Sequence, residues 1–396
     1  MTNIRDYFRK KEKRQDDSLG MKILKHRLVI LYRTVLIIAV VAAATAVVIV
    51  QAKNRVYESY EEISSVPHEN ISGSVTAALG EHILTYSNDG ANCVNSEGEQ
   101  LWNQTFEMQN PIVNICGDVA AMGDYNGRII YVMDSQGTRG EIDTKMPIRN
   151  FVVSANGVVA AILDDTNITW IYLFDASGNT LAYFKTTMKQ SGYPISITIS
   201  DNGSLVGVSY LYVDSGVMKS SVAFYNFGPV GQNEIDNFVS GYDYMDSVVP
   251  YVHFLDSETA VAVSDDRLVV YSGSQKPVSV ADVLLDGEIL GVYCGKDYAA
   301  LVYNDVTGNA IYKVDIYKDD GKLADTLMLD FQFSDIIFSA DRVIVYNEQE
   351  MLVHTIGRMD NFAGNFQKSV QTLIPGKNAH EYIIVTADSV DTIELK

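Results

Sequence analysis

From His82 onward the chain keeps returning to one pattern: a short apolar or aromatic stretch, a polar turn of Asp, Asn or Gly, a second stretch, another turn, and a third. The first copy reads HILTYSNDGANCVNSEGEQLWNQTF. It is followed by VAAMGDYNGRIIYVMDSQGTRGEID from Val119 and VVAAILDDTNITWIYLFDASGNTLAYF from Val158. A looser copy starts at Ser204, and four more start at Ala260, Tyr298, Arg342 and Tyr382. Their first turns fall near positions 89, 126, 165, 214, 265, 305, 347 and 387, a spacing of about 40 residues that lengthens around the fourth copy. A four-stranded unit of that length is one blade of a β-propeller. The stretches between copies, such as 148–154 (IRNFVVS) and 195–200 (ISITIS), are expected to supply the inner strand of each blade. Gly90 and Gly98 are expected to supply positive φ in the turns of the first copy.

A single twisted sheet of four strands cannot bury both of its apolar faces, whereas neighbours arranged in a ring cover them and leave only short edges. The expected fold class is therefore all-β, a propeller of eight blades, or seven if the short last copy forms none. A sandwich of two domains is the architectural alternative. The last copy ends at Lys396 after three strands, so residues around Ser65 to Thr76 are expected to complete the final sheet.

The N-terminal region follows a different rule. Residues 34–50 (TVLIIAVVAAATAVVIV) carry no charge, and Leu28 to Tyr32 extend the apolar run to 23 residues interrupted only by Arg33. As a helix, 17 to 23 residues rise roughly 25 to 35 Å, which brackets a bilayer's hydrocarbon core. The expected organisation is a basic cytoplasmic tail over 1–27, a transmembrane helix over 28–50, a juxtamembrane stalk over 51–70 that stays helical until Pro67, and the propeller over 71–396. Arg33 marks one membrane interface, and Lys53 and Arg55 mark the other. Met1 to Thr34 hold ten Lys or Arg against four Asp or Glu, which keeps the N-terminus cytoplasmic and the C-terminal domain extracytoplasmic. A cleaved signal peptide, with Val50-Gln51-Ala52 at its processing site, is the alternative. The basic clusters at Arg9 to Arg14 and Lys22 to Arg27 suit this topology and contact with anionic lipid.

Of the formal net charge of −20, the tail contributes +6, leaving −26 on the body. A body that acidic repels phosphate backbones, which excludes nucleic acid as its partner. Cys93, Cys116 and Cys294 are too far apart for a metal or redox motif and sit in apolar stretches. No two histidines fall within four residues of each other, and His68 belongs to the stalk region. No nucleophile elbow, phosphate loop, dinucleotide fingerprint or zinc spacing occurs. The carboxylates at 164–165, 265–266 and 319–320 lack calcium-loop spacing and read as turns. No catalytic, metal or cofactor-binding residues are assigned and no cofactor is expected. One aromatic stretch stands out in the longest step between copies: Tyr242, Tyr244, Tyr251 and His253, with Asp243 and Asp246 among them. As a loop it would anchor a partner protein or stack on sugars, and packing over a blade edge is the competing reading.

The turn-strand-turn of the first copy, from Asp89-Gly90 through Glu97-Gly98 to Leu101-Trp102, resembles the repeat of the PQQ-like and WD40-like propeller superfamily. The tail, span and degenerate propeller together are similar to an uncharacterised family of single-pass membrane proteins from Gram-positive bacteria. That resemblance implies architecture and a surface location. Quinone chemistry does not carry over, because such enzymes use adjacent cysteines and a tryptophan floor, and this chain has no Cys-Cys pair and only Trp102 and Trp170. The expected function is a non-enzymatic interaction module at the cell membrane, held in the bilayer by one helix and facing envelope proteins or cell-wall components. An envelope glycan hydrolase or lyase with paired carboxylates in the propeller funnel is the alternative, and a surface sensor is a third reading.

Overall fold

The computed structural model describes residues 4–67, 73–166, 168–186 and 191–396, with side chains from Met21 onward except at 48, 49, 52 and 53. It divides into two compact units, 1–55 and 56–396.

In the first unit, α1 (Ile4–Lys53) is one continuous helix. Its stretch Met21–Val47 has a mean hydropathy of 2.3, and none of its most apolar window is buried by protein. A helix of this length and composition can cross a membrane or serve as a signal sequence. Its two threonine hydroxyls turn inward on the backbone: Thr34 Oγ1 donates to Ile30 O at 3.0 Å and Thr45 Oγ1 to Val41 O at 2.9 Å. An apolar solvent would therefore meet neither threonine as an unsatisfied donor. Arg33 projects from the helix, Lys53 ends it, and Arg55 follows it.

The second unit is an eight-bladed β-propeller of eight antiparallel four-stranded sheets. Blades 1 to 7 follow chain order over 75–105, 111–143, 148–186, 193–244, 251–284, 289–329 and 335–365. Blade 8 takes three strands from 372–395 and its outermost strand from Tyr60–Pro67. The first strand of each of blades 1 to 7 is the inner one, so Ile148–Val153 and Tyr193–Ile199 lie where the sequence placed them. Second strands such as Thr259–Val263 and Arg342–Tyr346 are buried along their whole length because adjacent blades cover both faces. Outer strands such as Val278–Leu284 are largely exposed. The core is consequently a series of wedges between blades, for example Ala160, Ile171, Ile197 and Val208 between blades 3 and 4.

Two expectations are corrected. The helix stops at Lys53 instead of continuing to Pro67, and the supposed stalk from Tyr60 onward is a strand of the propeller. Glu58, Glu61 and Glu62 favour a helix locally, but the unpaired edge of Ser389–Leu395 offers a ladder of hydrogen bonds, and tertiary pairing overrides propensity. The propeller unit thus begins at Val56, ahead of the expected boundary at Ile71, which with His68 lies outside the described residues. The stretch expected to complete the last sheet is split: Tyr60–Pro67 closes blade 8 and Val75–Leu79 opens blade 1. Gly98 does take positive φ, at 77°, whereas Gly90 opens a strand. Gly90 is required for space, since a Cβ there would lie 2.5 Å from Gln104 O.

Ring closure rests on the pairing of Tyr60–Pro67 with Ser389–Leu395. At its centre the fully buried Asp391 carboxylate accepts from Ser65 Oγ and from Lys368 Nζ at 2.6 Å, and Lys368 also reaches Glu62 at 2.9 Å. Burial pushes the Asp391 pKa up, but the bonds from Lys368, Ser65 and Ser389 outweigh it and hold the carboxyl below its ordinary value. A depressed folded-state pKa contributes stability above the unfolded value near ~4 that is lost as pH falls through the folded one. Lys368→Met should therefore cost about 1–3 kcal/mol at neutral pH, toward the lower end because Lys368 is half exposed, and flatten the acid limb of stability, as urea unfolding against pH would read. A chain beginning at Val56 should unfold in one cooperative transition, whereas one beginning at Gly73 should lose that cooperativity in calorimetry.

Candidate functional site

Because strands alternate in direction, each blade sends its second-to-third turn and its link to the next blade to one face of the ring, here called the crossover face. The other turns, and the point where the chain enters at Tyr60 opposite Leu395, lie on the opposite face. The crossover face is uneven. In blade 4 the middle strands Leu205–Asp214 and Val217–Asn226 are ten residues each, longer than their flanking partners, whose pairing stops at Tyr193 with Leu211 and at Ser220 with Tyr244. The hairpin formed by 212–219 therefore projects past the sheet. Its tip turns through Ser215 and Gly216, both with positive φ, and Lys219 Nζ bonds the Asp214 carboxylate at 2.7 Å. Val213, Val217 and Met218 are exposed on it.

Beside the hairpin, a cleft of about 390 Å³ opens between blades 4 and 5, lined by Tyr242, Asp243, Tyr244, Met245, Asp246 and Arg267 among others. Two of the predicted aromatics build its wall. Tyr242 Oη donates to Pro277 O at 3.1 Å and accepts from Ser279 N at 3.2 Å, and its ring lies 4.9 Å from that of Tyr271. Tyr244 Oη and Tyr271 Oη share a short hydrogen bond. Burial raises the pKa of both phenols, so they act as staples between blades. Arg267 grips Asp266 through two nitrogens, at 3.0 and 2.8 Å, and reaches Asp282 at 3.2 Å. That grip drives the Asp266 carboxyl down to about 2. Among the described residues no ion pair holds Asp243 or Asp246.

The other two predicted residues lie elsewhere. Tyr251 and His253 are on Tyr251–Phe254, the innermost strand of blade 5, so the four residues do not form one loop. The link between them is pinned at Val249, whose carbonyl accepts from Ser209 Oγ at 2.6 Å and whose amide donates to Ser220 Oγ at 3.1 Å. Tyr251 Oη donates to Cys294 Sγ at 3.5 Å, a contact inside the ring. His253 opens toward the ring axis although protein surrounds it, and that enclosure, with no carboxylate to offset it, lowers its pKa to about 4.

Around the axis, inner-strand amides are satisfied by side chains of other blades. Val153 N donates to Asn114 Oδ1 at 2.8 Å, Val252 N to Ser196 Oγ at 3.2 Å and Phe254 N to Thr198 Oγ1 at 2.9 Å. Toward the opposite face, Cys116 Sγ lies 3.7 Å from Asp201 Oδ1, and burial followed by the charge of Asp256 raises the Asp201 pKa. Burial pushes the thiols of Cys93 and Cys116 up to about 11 and that of Cys294 to about 12, the reverse of an activated nucleophile. Among the described residues no three His, Cys, Asp or Glu side chains gather as a metal would require. Sequence reasoning missed the projecting hairpin and Arg267. The signal for the hairpin was the longer spacing on either side of the fourth copy.

A family model, Family of unknown function (DUF5711), matches residues 53–395. The chain belongs to that family. The match covers the whole propeller and leaves out most of α1. No curated protein matches the chain. Among solved structures it is similar to Chaetomium thermophilum Sqt1 bound to the N-terminus of ribosomal protein L10, with a TM-score of 0.55 and 11% identity over 84% of this chain and 100% of that one. It is also similar to a eukaryotic initiation factor, with a TM-score of 0.51 and 12% identity over 83% and 87%. BamB from Moraxella catarrhalis aligns over 85% of this chain and 100% of its own, with 10% identity and a TM-score of 0.49. The first two likenesses show a shared fold.

The staple between blades 4 and 5 can be tested directly. Tyr244→Phe strands the buried Tyr271 hydroxyl and should cost about 1–3 kcal/mol in urea unfolding. Removing both hydroxyls should recover part of that loss, because no buried donor is then left unpaired.

Proposed function

We propose that the chain is a membrane-tethered, extracytoplasmic and non-enzymatic interaction module that meets envelope proteins or cell-wall components with its crossover face. The observation that carries this reading is the blade 4 hairpin, which holds Val213, Val217 and Met218 in solvent beside an open cleft. Exposed apolar side chains grouped on a projecting element favour a partner that buries them. The helix supports the tether, since it is long and apolar enough to span a bilayer, and the basic tail ahead of it favours an extracytoplasmic body. The raised thiols and the stapled phenols of the blade 4/5 cleft support a binding role over catalysis. The fold allows it as well, since Sqt1 is seen bound to a segment of another protein.

A photo-reactive amino acid placed at Val217 in cells should give discrete adducts that the same group at Ile235, exposed on the opposite face, does not give. Equal labelling from both faces, or none from Val217, would remove the reading. Protease added to intact cells should degrade the body and spare the tail.

A further inference from the structure

Resting on that reading, we infer that the occupant of the crossover face over blades 4 to 6 is a basic, amphipathic segment of a partner protein. Exposed apolar side chains extend beyond the hairpin tip. On the same face Val213 is 64% exposed, Met218 59%, Met245 50%, Leu284 74%, Val306 97% and Met328 44%. They sit in turns, blade links and strand ends of three successive blades. Three of the six are methionines, whose unbranched side chains adapt to the ridges of an apolar helix face. Clefts lie at both ends of the arc. One is the blade 4/5 cleft, and the other, about 510 Å³ between blades 6 and 7, is lined by Met328, Asp330, Phe331 and Glu350 among others.

Charge selects the partner. The cations on this arc are Lys219, Arg267 and Lys313, and each is already committed to a carboxylate: Asp214 at 2.7 Å, Asp266 at 2.8 Å and Asp315 at 2.7 Å. Asp246, Asp286, Glu288 and Asp330 lie in the links between these blades and the next, and none is in an ion pair among the described residues. The arc therefore presents apolar side chains among uncompensated negative charge. Anionic lipid, phosphate-rich polymers and acidic proteins are repelled by it. A helix with leucine-like residues on one side and Lys or Arg beside them satisfies both features at once.

The test uses the full chain in phosphatidylcholine nanodiscs and a fluorescent Leu/Lys amphipathic peptide of about 18 residues, read by anisotropy. The peptide should bind, more weakly as salt rises, and an isomeric Leu/Glu peptide should not. Met218→Ser combined with Val306→Ser should weaken binding by about tenfold or more, roughly the loss on removing an interface anchor. Asp286→Lys combined with Glu288→Lys should weaken it and reduce its salt dependence. Ile235→Glu should leave it unchanged, and equal unfolding midpoints would show that all variants fold. Binding of both peptides alike, binding indifferent to these substitutions, or preference for phosphatidylglycerol vesicles over the peptide would overturn the inference. Adducts from Val217 in cells without Leu/Lys binding would overturn the partner class while leaving the interaction module standing; absence of adducts would remove the module itself.

Discussion

The propeller depends on one pairing between the ends of its unit. Seven sheets are contiguous in the chain, and blades 2 to 6 are covered on both faces by their chain neighbours, but blades 1 and 7 each keep one face bare until blade 8 shuts the ring. Closure is made by Tyr60–Pro67 against Ser389–Leu395, with Asp391 at the centre as the polar anchor. Beyond the ladder, the seam is secured by further backbone bonds: Lys396 N donates to Ser59 O at 2.9 Å, Glu58 N to Lys396 O at 3.0 Å, and Tyr57 N to Asn361 O at 2.7 Å. The closing strand's own polar contacts make the seam specific as well as strong, since any other edge strand would leave Asp391 without the Ser65 hydroxyl and Lys368 without Glu62.

Most of the architecture was legible because its cause is local and periodic. Turn chemistry recurs about every forty residues: Asn95, Asp175 and Asp256 each bond two amides beyond themselves to close a turn, so the polar residues that punctuate the repeat do what their types suggest. Trp102 was readable for the same reason, and its indole donates to Asp134 O at 2.7 Å, tying blade 1 to blade 2. The closing strand was misread because Glu58, Glu61 and Glu62 look helical, and the partner that overrides them lies at the far end of the sequence.

The candidate site was half legible. Tyr242 and Tyr244 line one cleft, but their hydroxyls face inward and bond blade 5. Grouping them with Tyr251 and His253 failed, because crossing from one blade to the next carries the chain from the rim to the axis within six residues, Met245 to Pro250. Nearness in sequence at such a link means distance in space. The acidic and apolar side chains on one face of three blades come from turns scattered through the sequence and become visible as a group only once the strand order is known.

The position of the closing strand also sets a schedule. At roughly 5–20 residues per second, a ribosome needs on the order of 20 to 60 s between releasing Tyr60 and releasing Leu395. Throughout that interval the first strand of the unit has no neighbour, and an unpaired strand recruits whatever other edge it meets. Glu61 and Glu62 within it, Glu58 just ahead of it and its terminal Pro67 are the residue types that discourage such recruitment. The composition that disguised this segment as a stalk is what lets it wait, single and soluble, for a mate not yet synthesised.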